Sequence, residues 1–369
     1  MEILNTILKK REAEGLKRNI KPSVSGIDFC SNDYLGVAKS SDLHHEILEV
    51  LNQNAIGNGA TGSRLLSGNN GAYISLEKEI ASFHDAEAAL IYPSGYQANI
   101  GLLQCIAAKG DTIILDELAH ASLIDGARLS HAKRFKFQHN NLADLKKKLE
   151  QATGNIFVVI EALYSMNGDL ADIESITQLC APYDAQIIVD EAHSAAVYGK
   201  EGQGLTVELG LQQKVFARII TYGKGFGSHG AAIIGSPTLI DYLVNFSRSF
   251  IYSTGLSPIH IESIRTAYKH IKNSNTQRQQ LFEIIRYFRS KISKNAFWIT
   301  SSSAIQSLII PGNSTVKEIA HQLNQNGISV FPILSPTVAK GSERIRFCLH
   351  SYNTKEEIDH LFLNLERIL

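Results

Sequence analysis

An α/β protein built on a mainly parallel sheet, with a smaller α+β unit after it, is the fold class predicted for this 369-residue chain. Three observations predict it. Short, near-continuous apolar runs rich in Ile and Val recur along the middle of the sequence, helical patterns separate them, and after residue 255 the helices lengthen. Strands that lack polar alternation are buried on both faces, as happens when helices cover a parallel sheet. The length suits two domains of about 150 residues, or one large domain with an appendage.

Taken in chain order, "MEILNTILKKREAEGLKRNIK" reads as a charged amphipathic helix, without the apolar core of a signal peptide. "HHEILEVLNQNAI" is helical as well. The runs "DTIILD" (111–116), "IFVVIE" (156–161), "AQIIVD" (185–190) and "ARIITY" (217–222) are the strands, joined by a further apolar strand "AAIIG" (231–235). "NLADLKKKLEQA" and "ADIESITQLCAPY" are helices between them. Beyond "SPIHIESIRTAYKHIKNS" the tail runs through "SSAIQSLIIPG", a helix, "GISVFPI", "ERIRFCLH" and a last helix, "TKEEIDHLFLNLERIL". The expected division is an N-terminal helix and arm over 1–40, a large domain over 41–260 and a small domain over 261–369.

With 36 basic and 36 acidic residues, nothing draws the chain towards nucleic acid or an anionic membrane. No run reaches the roughly 18 apolar residues of a membrane-spanning helix. Cys30, Cys105, Cys180 and Cys348 are widely spaced, so neither a disulfide framework nor a zinc site is expected, and a reducing cytoplasm is. Small molecules are the partners this composition suits.

In an open parallel sheet, ligands bind beyond the carboxyl ends of the strands. Those ends carry the chemistry here. Asp116 closes one strand with His120 following, Glu161 closes the next, Asp190 closes "IIVD" with His193 three residues on, and Lys224 follows the fourth. Two literal G-x-G-x-x-G matches, "GNGATG" (57–62) and "GFGSHG" (225–230), lack the strand-then-helix context of a dinucleotide site. In "TYGKGFGSHGAAIIG" (221–235), glycines surround Lys224, which lets another group approach its amine. Alone, that pattern is commonly a turn with a solvated lysine. Joined to Asp190, it suggests pyridoxal 5'-phosphate, which needs a lysine for a Schiff base, a carboxylate at its ring nitrogen and donors for its phosphate. Ser94 with the N–H groups of Gly95 and Tyr96, at the start of a helix, and the hydroxyl of Thr221 are the candidate phosphate donors.

Seven ordered motifs carry a resemblance: "FCSNDYLG" (29–36), "GATGSRLLSG" (59–68), "HASLIDG" (120–126), "EALYSMNGD" (161–169), "VDEAHSAAVYGKEGQG" (189–204), "TYGKGFGSHG" (221–230) and "PTVAKGSERIRFCL" (336–349). From about residue 8 to the C-terminus the chain resembles the α-oxoamine synthases. These are fold-type I, aspartate aminotransferase-like pyridoxal phosphate enzymes that condense an amino acid with an acyl thioester and lose carbon dioxide. "GSRLLSG", "FIYSTGLSP" and "SPTVAKG" look closer to the biotin-pathway branch, which joins L-alanine to a pimeloyl thioester, than to the glycine-using ligase.

The resemblance implies roles. Lys224 carries the cofactor and removes the Cα proton, Asp190 pairs with the ring nitrogen, His193 bonds the phenolic oxygen and His120 stacks on the ring. Ser165 and Glu161 lie near the cofactor and the reacting carbonyl. Ser253 and Thr254 reach the phosphate of the neighbouring subunit, which implies a homodimer with shared sites. Asn32 and Arg346 hold the amino acid's carboxylate. Lys17 and Arg18 stand where branch members have an arginine and are candidates for the acyl chain's carboxylate; the alternative is the solvated end of a helix. Tyr73, Asn167, Leu334 and Asn353 depart from the family's usual residues without removing a catalytic group. Acyl transfer to glycine or serine, and a non-catalytic subunit, are the competing readings; retention of Lys224, Asp190 and His193 argues against the second. Coenzyme A and a carrier protein both remain open as acyl carrier.

Overall fold

The structure, a computed structural model, describes residues 1–20, 25–53, 57–292 and 297–369; the last three residues of the "HHEILEVLNQNAI" stretch lie outside them. Contacts divide the chain into a larger unit, 35–165 with 170–278, and a smaller one, 1–34 with 166–169 and 279–369.

Seven strands form the sheet of the larger unit: β1 (Ala88–Tyr92), β2 (Thr112–Asp116), β3 (Lys133–Phe137), β4 (Ile156–Glu161), β5 (Gln186–Asp190), β6 (Ala217–Thr221) and β7 (Ala231–Gly235). Their order is β1-β7-β6-β5-β4-β2-β3, and β7 alone runs antiparallel to both of its neighbours. The interior strands are mostly apolar because both faces are covered. Ile113, Ile114, Val158, Val159, Ile188, Ile219 and Ile233 are all fully buried. At one edge, β3 is the charged segment "KRFKF", whose Lys133, Arg134 and Lys136 are exposed. Charges on an edge strand discourage pairing with another chain.

Helices α1 (Glu2–Ala13), α2 (Ser41–Gln53), α3 (Gly71–Phe83), α4 (Gly95–Ile106) and α5 (Ala121–Leu129) precede α6 (Leu142–Glu150) and α7 (Ile173–Cys180). Ser94 caps α4 by accepting the N–H of Gln97, and the ring of His120 caps α5 by accepting that of Ser122. Both caps stand at the carboxyl ends of strands, so the loops that end β1 and β2 are held by the helices that follow. Helices α4 and α5 touch closely because Gly126 has no side chain; a Cβ there would lie 2.8 Å from the carbonyl oxygen of Asn99.

Further on come α8 (Pro237–Phe246) and α9 (Pro258–Lys272), and α9 packs on α2 and α3. The change to longer helices after residue 255 therefore does not coincide with the division between units. His84, at the end of α3, is completely buried. Its Nδ1 donates to the carbonyl of Gln203 and its Nε2 meets the hydroxyl of Tyr268, each at 2.8 Å, and Tyr268 in turn meets Tyr222 at 3.3 Å. That buried chain ends two residues before Lys224.

In the smaller unit, β8 (Ile305–Ile309), β9 (Pro332–Ile333) and β10 (Arg344–Cys348) form an antiparallel sheet in the order β9-β10-β8. Ile27–Asp28 pairs in parallel with Ile328–Ser329. The final helix, Lys355–Ile368, begins with a capping box between Thr354 and Glu357 and buries Ile358, Leu361 and Leu365. Residues 166–169 join this unit through hydrogen bonds: Ser301 and Ser303 donate to the carbonyl of Gly168, and Arg344 donates to Asn167 at 2.6 Å. Helix α1 buries none of its residues. Among the described residues no helix is long and apolar enough to cross a membrane.

Candidate active site

Beyond the carboxyl ends of β1, β2, β4, β5 and β6 lies a cleft of about 240 Å³ in the larger unit. Ser94, His120, Glu161, Asp190, Thr221 and Lys224 line it, delivered by five strand ends or the turns after them, the last two by β6. Residues 130 positions apart meet because parallel strands all present the same end. Lys224 Nζ lies 2.7 Å from His193 Nε2.

The glycines around Lys224 divide into two kinds. Gly227 and Gly230 have φ of +58° and +109°, values that side chains rarely tolerate. A Cβ on Gly227 would fall on the backbone nitrogen of Ala38, and one on Gly230 would lie 2.8 Å from Leu256 Cδ1. Gly223 has open space, with only the carbonyl of Ser228 at 3.9 Å. The far glycines thus fix the turn that aims Lys224, and the near one keeps its surroundings clear.

Asp190 is 5% exposed, and each carboxylate oxygen has a donor: the N–H of Ala192 at 2.9 Å and Nδ2 of Asn99 at 2.8 Å. Glu161 is buried beside it. Burial, reinforced by the charge of Asp190, raises its pKa, against the pull of Lys224 and of the N–H groups of His120 and Ser165. A carboxyl whose pKa burial and a neighbouring carboxylate push up to about 8 suits a site that moves protons.

These residues fit pyridoxal phosphate. The amine of Lys224 is accessible from the cleft, and Asp190 offers a buried anion. Asn99 Oδ1, on a residue 2% exposed, is an acceptor without a donor, which suits a ligand carrying an N–H at that end. At the other end, the start of α4 offers N–H groups to an anion, and a Cβ on Gly95 would come 2.6 Å from Thr221 Cγ2 and close that end.

Other candidate residues are placed as follows. Tyr96 is exposed and its hydroxyl donates to Asp125 at 2.5 Å. Ser165 presents its N–H to Glu161. Ser253 and Thr254 are not in the cleft of their own chain: Ser253 accepts from Gln97 at 3.3 Å, and Thr254 bridges to Ser63. In the smaller unit Arg346 donates to Asn32 at 3.3 Å, so those two are together. Lys17 pairs with Glu12 at 3.2 Å, and Arg18 donates to Thr337 at 3.2 Å. Sequence reasoning missed Asn99, Ser122 and His229, all of which line the cleft. His229 alone had a signal, its place within the glycine-rich segment.

The family model for aminotransferases of class I and II matches residues 24–365. The chain belongs to this family. Among curated relatives of this aminotransferase-family chain is the 8-amino-7-oxononanoate synthase of Lysinibacillus sphaericus, 37% identical over 92% of the chain and 88% of its own length. Such kinship makes the chain an α-oxoamine synthase. Among solved structures, 8-amino-7-oxononanoate synthase from Francisella tularensis is 28% identical with a TM-score of 0.78, covering 93% of this chain and 97% of that one. Serine palmitoyltransferase of Sphingomonas wittichii is 25% identical with a TM-score of 0.90, covering 98% and 96%. The fold is that of fold-type I transferases.

Proposed function

We propose that the chain is a pyridoxal phosphate-dependent 8-amino-7-oxononanoate synthase, joining L-alanine to a pimeloyl thioester with loss of carbon dioxide and release of the thiol, as a step of biotin biosynthesis. The observation that carries this is one cleft holding an accessible Lys224 and a doubly held Asp190, in a chain 37% identical to an enzyme of that name.

When bound, pyridoxal phosphate supplies an electron sink for a carbanion at the amino acid's Cα. Lys224 would hold it through Nζ and would carry the Cα proton on that nitrogen. His193, 2.7 Å from Nζ, orients the amine and would serve the phenolic oxygen. Asp190 would face the ring nitrogen with its charge. His120 would cover the ring and exclude water. Ser94, Gly95, Tyr96 and Thr221 hold the phosphate at the start of α4. Glu161, protonated, is a donor for the reacting carbonyl, with Ser165 beside it. Asn32 and Arg346 hold the carboxylate of alanine, a task suited to a guanidinium fork. Lys17 and Arg18 meet the far carboxylate of the pimeloyl chain, which arrives on coenzyme A or a carrier protein. The enzyme works as a cytoplasmic homodimer in which Ser253 and Thr254 serve the neighbour's phosphate.

A second reading has the higher fold similarity in its favour, since the serine palmitoyltransferase superposes with a TM-score of 0.90. The test is therefore a competition. Product ketone and thiol are measured with L-alanine and pimeloyl-coenzyme A, with glycine and acetyl-coenzyme A, and with L-serine and palmitoyl-coenzyme A. The first pair is expected to react much faster; a preference for either of the others overturns the assignment.

A further inference from the structure

Asp190 and His120 are linked by side chains that the reaction itself does not require. Asp190 Oδ2, Asn99 Nδ2, Ser122 Oγ and His120 Nδ1 follow one another at 2.8, 2.9 and 2.7 Å. Proton directions along this chain are determined at both ends, by the carboxylate of Asp190 and by the backbone N–H of Ser122. A carboxylate oxygen only accepts, so Asn99 turns its amide nitrogen to Asp190, and the same nitrogen donates to Ser122. Ser122 keeps its own proton for His120 Nδ1, the nitrogen that its backbone N–H already requires to accept. That nitrogen also accepts the backbone N–H of Ser122 at 3.2 Å.

Facing two donors, Nδ1 has nowhere to place a proton of its own. The imidazole stays neutral with its hydrogen on Nε2. Asn99 and Ser122 are 2% and 1% exposed, so water does not compete for these bonds, while His120 is exposed and lines the cleft. We propose that Asn99 is a positioning residue which, through Ser122, sets the carboxylate of Asp190 and the neutral imidazole of His120 as one coupled unit. This rests on the reading of those two residues as the cofactor's partners.

The surroundings of His120 agree. Loss of water around its enclosed edge lowers its pKa, Lys224 acts in the same direction, and Asp190 and Asp125 act against them. Glu161 also faces it, accepting its backbone N–H at 2.6 Å. Asp190 and Asp125 would charge the ring if Nδ1 were released to donate. Removing Asn99 takes away the amide that fixes the Ser122 hydroxyl, which can then rotate and accept from Nδ1–H, leaving only the backbone N–H at 3.2 Å to hold that nitrogen as an acceptor.

The experiment is a pH titration of His120 by NMR in the full-length chain labelled with ¹⁵N-histidine, before and after loading with pyridoxal phosphate. Wild type, Asn99→Ala, Asn99→Ser, Ser122→Ala and the double variant Asn99→Ala/Ser122→Ala are compared. Each single change should raise the proton affinity of His120 about tenfold, one pH unit, and the double variant should do no more than the larger single, because both act on one relay. Asn99→Ala should also weaken cofactor binding at least tenfold, since a buried charge loses a donor. Ser122→Thr, which keeps the hydroxyl, should titrate as wild type. A His120 titration unchanged in both Asn99 variants, or a double variant equal to the sum of the singles, overturns the proposal. The cofactor-free titration does not depend on pyridoxal phosphate, so a wild-type chain that fails to take it up would refute the functional reading separately.

Discussion

Acid should weaken this fold in part through His84. Burial, aided by the charge of Arg218, pushes its pKa down to about 3 from the ordinary 6.5. As pH falls through 6.5 the unfolded chain takes up a proton that the folded chain refuses, so this contribution to stability is present above 6.5 and is lost progressively towards pH 3. At 1.36 kcal/mol per pH unit, the loss between pH 7.5 and 5.0 is about 2 kcal/mol. The folded chain has little room to relieve this, because Nδ1 serves Gln203 and Nε2 meets Tyr268. Urea unfolding at the two pH values, at one protein concentration, compares wild type with His84→Asn. The variant starts less stable but should lose about 2 kcal/mol less on acidification. Equal losses in both proteins would show that His84 titrates in the fold as it does in water, and would refute the reasoning.

Three other outcomes are expected. Lys224→Ala should still bind pyridoxal phosphate, yet borohydride should leave no adduct at that position by mass spectrometry, whereas wild type is fixed there. Asp190→Asn should slow exchange of the Cα hydrogen of alanine in deuterated water about a thousandfold, because losing a unit charge at contact distance removes about 4 kcal/mol at an effective dielectric of 20; near-normal exchange, followed by NMR, would exclude the role. Gly227→Ala should destabilise the chain by about 2 kcal/mol and lower cofactor affinity, since φ of +58° strains alanine and its Cβ meets the backbone of Ala38; calorimetry and cofactor titration check both.

The acids and the lysine of the cleft were legible because each follows an apolar run and ligands bind beyond the carboxyl ends of such runs. Asp116, which also ends one, lies outside the cleft lining and holds His139 and the N–H groups of Leu118 and Asn140 instead. Strands β1 and β3 were harder to read. β3 is an edge strand whose charged residues hide the apolar signal, and "AALIY" in β1 runs directly into the turn that follows it. Ser122 falls inside the motif "HASLIDG", but neither it nor Asn99 was marked as lining the cleft. Both sit inside helical stretches, and their partnership depends on the contact between α4 and α5 that Gly126 permits, which no local pattern encodes. The glycines around Lys224 were read as one device for access, whereas Gly227 and Gly230 are required by backbone geometry.

The place of β7 between β1 and β6 has a consequence for how the protein is made. During synthesis β1 emerges early, yet its one partner in the sheet is β7, which ends at Gly235. A nascent chain stopped before Ala231 already contains Lys224, Asp190 and both histidines, but β1 has nothing to pair with and the two walls at Ser94 and Thr221 are not joined. Closing that gap brings together segments more than 130 residues apart, a slow event for a folding chain. Cofactor capture therefore marks the completion of the large sheet, and a fragment of this gene product ending before β7 would carry all of the site's acids and bases without a site.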